Sequence, residues 1–161
     1  MTFLRFLMLL ALAVWVGGLI FFPAVAQTAF TVLPSAHLAD LVVRGTLLTL
    51  HWMAFISGAV FLLSSLIYNR ATHGTARALS LSHRLVLVML ALTAISQFHI
   101  IPKMDAILAA AGEISTLPAD SPIRQQWDSL HAWSTRLEET VLILGLMVLY
   151  ATARRFNSSR T

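Results

Sequence analysis

Cysteine is absent from this chain of 161 residues, which removes disulfides, thiolate metal sites and cysteine nucleophiles from the chemistry open to it. Charge is scarce as well. Asp, Glu, Lys and Arg make up 11% of the residues, against about a quarter in an ordinary soluble domain. There is no G-x-S-x-G elbow, no H-E-x-x-H and no pair of histidines four residues apart. Nucleophile-elbow hydrolysis and helix-borne zinc sites therefore lack their signatures, and no residue stands out as catalytic. Repeats, low-complexity tracts and linker-like stretches are missing too, so residues 1–161 read as a single domain.

What the chain has in quantity is apolar side chain, 58% of the total, with a mean hydropathy of +0.79. It gathers in segments over residues 6–26, 45–68, 85–101 and 134–153. A helix needs roughly twenty residues to cross the bilayer core, and in lipid the backbone must satisfy itself, so helices are the expected form. The fourth segment is the difficult one, because its uninterrupted apolar run is only Thr140 to Ala153. Counting back roughly twenty residues from Arg154 sets its other boundary near Ser134. Glu138 and Glu139 are then drawn into the membrane with it.

The charges sort by loop. Arg5, Arg70, Arg77, Arg84, Arg154, Arg155 and Arg160 share one side with no acidic residue. Arg44, Lys103, Arg124 and Arg136 share the other with Asp40, Asp105, Glu113, Asp120, Asp128, Glu138 and Glu139. The basic side belongs in the cytoplasm. The expected fold is therefore all-α, an integral membrane four-helix bundle with both termini cytoplasmic. The formal charge of +4 reflects that topology and implies the lipid bilayer as partner, with no nucleic acid.

Segment one begins with a basic residue and contains Ala24-Val25-Ala26, which mimics a signal-peptidase site. It also carries Ala13 and Gly17 beside Gly18, a pattern of helices that pack closely, and a retained span is the expectation. Segment two has a matching pair, Ala54 and Gly58. These small-residue faces suit packing within the bundle, or a homo-oligomer or membrane complex. Between the spans, residues 103–114 predict a short amphipathic helix at the surface. Asp120 or Ser121 with Pro122 marks the start of a last helix running to about Arg155, and Trp127 and Trp133 flank the outer boundary.

Three spans each bring a histidine to the outer half: His51, His99 just after Ser96 and Gln97, and His131, with Glu138 two turns deeper. In one reading these groups hold helices together, Arg136 pairing with Glu139 and the histidines and Ser or Gln side chains bonding between helices. In another, His51, His99, His131 and Glu138 converge on a metal or haem, with Met53 or Met104 as a soft ligand. Histidine with methionine suits copper, histidine with carboxylate zinc or iron, and two facing histidines haem. A third reading is a proton or quinol path through Glu138 and Glu139.

"LHAWSTRLE", with His131, Ser134 and Glu138, resembles the His-x-x-Ser-x-x-x-Asn signature in the last helix of the transmembrane protein 205-like family. The bacterial relatives of that family form domain of unknown function 4149. "WVGGLIFFPAV" is similar to the family's first helix and "QFHIIPKM" to its third, so the resemblance runs through three of the four segments. It implies a four-helix integral protein of the cell inner membrane and adds little about activity. Glu138 stands where the family has Asn. "WVGG" also resembles the copper-resistance D family. The functional expectation is a structural or accessory membrane protein with a polar His/Glu cluster; the alternative is a copper- or haem-binding membrane protein in metal tolerance or electron transfer.

Overall fold

A computed structural model describes residues 2–73 and 81–158. Arg77 and Arg160, which contribute to the charge asymmetry, lie outside them. The helices are α1 (Thr2–Val32), α2 (Ala36–His73), α3 (Leu81–Ile95), α4 (Ile101–Ala111) and α5 (Pro122–Ser158). A π-helical turn, Ser96–Ile100, joins α3 to α4, and a 3-10 turn covers Ile114–Thr116.

Each break has a local cause. Between α1 and α2 the chain bends over residues 33–35, where Pro34 cannot continue a helix. Ser35 restarts it, its hydroxyl accepting the Leu38 N–H at 3.3 Å. The π turn precedes Pro102, which has no N–H to donate and whose ring crowds the carbonyl four residues back. Widening the turn lets the Ile101 N–H reach back five residues to the Ser96 carbonyl. The helix expected over residues 103–114 is thus joined end to end with α3. It stops at Gly112, whose φ of 70° is left-handed backbone that glycine adopts without penalty. Ser121 caps α5 by accepting the Arg124 N–H at 3.3 Å, with Pro122 at the first helical position.

α1 packs along α2, and α5 packs against both α1 and α3. Near the terminal end, Arg5 donates to the Tyr68 hydroxyl at 2.6 Å and lies over its ring. Leu12, Trp15, Phe61, Val86, Met89, Val141 and Val148 fill the core. A Cβ on Gly18 would meet Leu50 at 2.6 Å, and one on Gly58 would meet Leu90 at 2.7 Å. Both glycines therefore mark close approaches inside the bundle. Gly17 and Ala13 are exposed, with open space around Gly17, because α1 turns its neighbouring glycine inward instead.

The distribution of polarity is inverted relative to a soluble bundle. Ser57, Ser64, Ser65, Asn69, Thr93, Ser96 and Thr152 are buried, while Phe3, Phe21, Trp52, Ile56, Leu63, Phe98 and Tyr150 face outward. Thr2–Val32, Ala36–Thr72 and Leu81–Ala111 are each long and apolar enough to cross a membrane. Among the described residues α5 is not, since Glu138 and Glu139 stand at the head of its apolar run. Its packing nonetheless places Val141 and Val148 inside and Ile143, Leu146, Met147 and Tyr150 outside.

Two glycines should respond in opposite directions. At Gly145 a Cβ would meet Val16 at 2.8 Å and Met89 at 3.2 Å, and Val16 is β-branched with little rotamer freedom. Gly145→Val is expected to lower stability by about 1–3 kcal/mol through overpacking. Gly17→Ala should raise it by roughly 0.5–1 kcal/mol through helix propensity alone. Thermal unfolding of the two variants in one detergent, followed by circular dichroism, checks both signs.

Candidate functional site

His51 is 1% exposed in the middle of α2, and both of its ring nitrogens have partners. Nδ1 is 2.7 Å from Gln97 Oε1, and Nε2 is 2.7 Å from Glu138 Oε1. One imidazole therefore ties α2 to the π turn and to α5. A group buried in a low-dielectric interior is expensive unless hydrogen-bonded, and here both ring nitrogens of His51 find an oxygen on another element.

The π turn explains which side chains take part. Ser96 is fully buried. In a wider turn each successive residue rotates less about the axis, so Gln97 stays close to the buried face. His99, three residues beyond Ser96, does not come back round to it and is exposed. His99 is therefore not brought to His51 and Glu138. His131 lies two turns before Glu138 on α5 and is exposed at the wall of a cavity, where buried Ser134 lies next to it. Met53 is exposed, while Met104 lines the cavity. Arg136 does not pair with Glu139; its guanidinium sits 5.7 Å from the centre of the Trp133 ring.

His51, His99, His131 and Glu138 are not gathered at one point as a ligand set. Among the described residues no three His, Asp or Glu side chains gather closely enough to hold an ion. His51 has no ring nitrogen free of a hydrogen bond. The donor set does not fit a coordinated metal without breaking that chain.

The cavity, about 360 Å³, opens between α1, α2, α4 and α5 near the α1–α2 and α4–α5 connections. Phe22, Phe30 and Leu142 are among its apolar walls, and Asp40, Glu138 and Glu139 among its polar ones. Arg44 is also on the wall, held by Asp105 of α4 in a two-pronged ion pair. Asp40 lies within electrostatic reach of His131 and His37. Glu138 Oε2 is buried and has no hydrogen-bond partner; Ser96 and Thr93 likewise have buried hydroxyls without partners.

Sequence reasoning offered Ser and Gln side chains as bonding partners between helices without matching Gln97 to His51, and it missed Asp40, Arg44 and Asp105 as wall residues. Pro102, five residues beyond Gln97, was the available signal for a distorted turn. The opposite charges of Arg44 and Asp105, on one side of the membrane partition, were the signal for their pairing.

A family profile described as a domain of unknown function (DUF4149) matches residues 10–113, more than half of the chain. No curated protein and no solved structure matches it. The matched range contains His51, Gln97 and His99; His131, Ser134 and Glu138 lie beyond it.

Removing His51 would strand Glu138 and Gln97 together. His51→Ala is expected to cost about 1–3 kcal/mol. Combining it with Glu138→Ala should cost less than the sum of the single changes, with a coupling of roughly 1–2 kcal/mol. Additive effects in a double-mutant cycle would show that the two side chains do not act as a pair.

Proposed function

The chain belongs to the DUF4149 family, and from that membership we propose that it is a small integral protein of a bacterial inner membrane with a structural or accessory role. It crosses four times, with both termini in the cytoplasm. The Gln97–His51–Glu138 chain is the internal lock that joins its helices. The observation that carries the reading is the engagement of both His51 nitrogens by groups from two other helices. This is the work of interhelical polar side chains in a membrane.

The fourth crossing draws support from α5 itself. Its inward face carries Ser134, Val141, Val148 and Thr152, all buried, and its outward face is apolar from Ile143 to Tyr150. Glu138, the residue that makes the helix too polar by composition, has His51 waiting for it. The likeness to the transmembrane protein 205 motif extends the kinship past residue 113, Ser134 being a buried wall residue and His131 an exposed one. Orientation follows from Arg5, Arg70, Arg84 and Arg154 at the terminal end, opposite every acidic residue. The exposed Ala13–Gly17 face of α1 is where a second copy or a partner helix would lie.

The cysteine-free sequence makes topology directly measurable. Single variants Thr2→Cys, Ser115→Cys and Ser158→Cys are treated with a membrane-impermeant maleimide in spheroplasts. Ser115→Cys is expected to react, and the other two only after lysis. Reaction of Ser158→Cys in sealed spheroplasts would remove α5 as a fourth span.

A further inference from the structure

Every exposed residue on the wall of the cavity belongs to α1 or α5: Pro23 and Phe30 on the first, His131, Thr135 and Glu139 on the second. None of the wall residues of α2 or α4 is exposed. The mouth is therefore a cleft between α1 and α5. The same two helices touch closely further along, where a Cβ on Gly145 would meet Val16. Next to the cleft both carry apolar outward side chains, Ile20 and Phe21 on α1 and Ile143 on α5. Roughly twenty residues of helix cross the hydrocarbon, and counted from Arg5, Arg70, Arg84 and Arg154 they end near Val25, Leu50, Met104 and Ser134. Leu19, Phe22 and Leu142 of the wall lie inside that line, and Arg44, Asp105 and His131 lie beyond it. Of the carboxylates inside the line, Glu138 is held by His51 and Glu139 stands on the lip. The cavity thus turns from apolar to charged at the depth where a lipid turns from chain to headgroup.

We propose that the cavity holds one hydrocarbon chain of a bilayer lipid from the non-cytoplasmic leaflet, which enters sideways through the cleft between α1 and α5. The chain lies against Phe22, Leu47 and Leu142, which pack on the core from the cavity wall, and the headgroup stays at the level of His131. The volume of about 360 Å³ falls in the range of small-molecule pockets. Left unfilled, it would deprive those side chains of dispersion partners, and water in it would wet walls that are mainly apolar. Hydrocarbon meets them without asking for a hydrogen bond. The inference rests on the four-span reading above, because only a membrane-crossing α5 sets the cleft in hydrocarbon.

The test uses the full chain in lipid nanodiscs that include a phosphatidylcholine with a trifluoromethylphenyl-diazirine on one acyl chain, followed by illumination and peptide mass spectrometry. Ile20 and Ile143 face outward and report ordinary lipid contact. Leu47 and Met104, on the unexposed α2 and α4 walls, are reached from within the cavity. Label is expected at all of these positions. Ala26→Trp, which fills the cavity from α1, should lose the label at Leu47 and Met104 and keep it at Ile20 and Ile143. Label at Ile20 and Ile143 alone in the unaltered chain would overturn the proposal and leave the four-span reading standing. An unlabelled Ile143 would overturn both. Undiminished label at Leu47 and Met104 in a folded Ala26→Trp variant would overturn the route through the cavity. The comparison of positions within the unaltered chain decides the matter even where the variant fails to fold.

Discussion

A polar side chain inside a low-dielectric slab costs several kcal/mol unless it meets a partner, and in this chain three of them meet one another. Glu138 enters the bundle on a helix whose composition would otherwise keep it out. His51 receives it from the side of α2, and Gln97 closes the chain from the π turn. Remove any one and the other two become liabilities. The positions of α2, α3 and α5 relative to one another are tied to this contact more tightly than to any single apolar one, because apolar side chains gain little by exchanging lipid for protein.

The apolar packing then sets how closely the helices approach. Gly18, Gly58 and Gly145 let Leu50, Leu90 and Val16 sit against backbone, which brings the helices near enough for the polar chain to close. Trp15 and Phe61 occupy the middle of the core. Pro102 acts from outside the core. By widening one turn it alters which residues of the third segment face inward, and it carries the helix on as α4 along the cavity.

The helices were legible because hydropathy and end signals agree: the apolar segments, the Ser121–Pro122 start and the bend at Pro34 all leave marks in sequence. His51 and Glu138 could be singled out, since ionisable residues in apolar runs are conspicuous. Their choice of partner could not. His99 looked inward on a regular helical phase, and the π turn changed that phase. Gln97 was one of the side chains offered for bonding between helices, and spacing alone could not match it to His51. The cavity was invisible because its walls come from four helices whose distances no spacing encodes. Arg136 appeared set to meet Glu139 one turn away, and the Trp133 ring took it instead.

The Gln97 amide has a consequence for the imidazole it meets. With its oxygen toward Nδ1 of His51, the ring donates there; with its NH₂ group in that place, Nδ1 would accept. The amide of a neutral glutamine and the tautomer of a buried histidine are thus one choice made together, and neither can turn without the other.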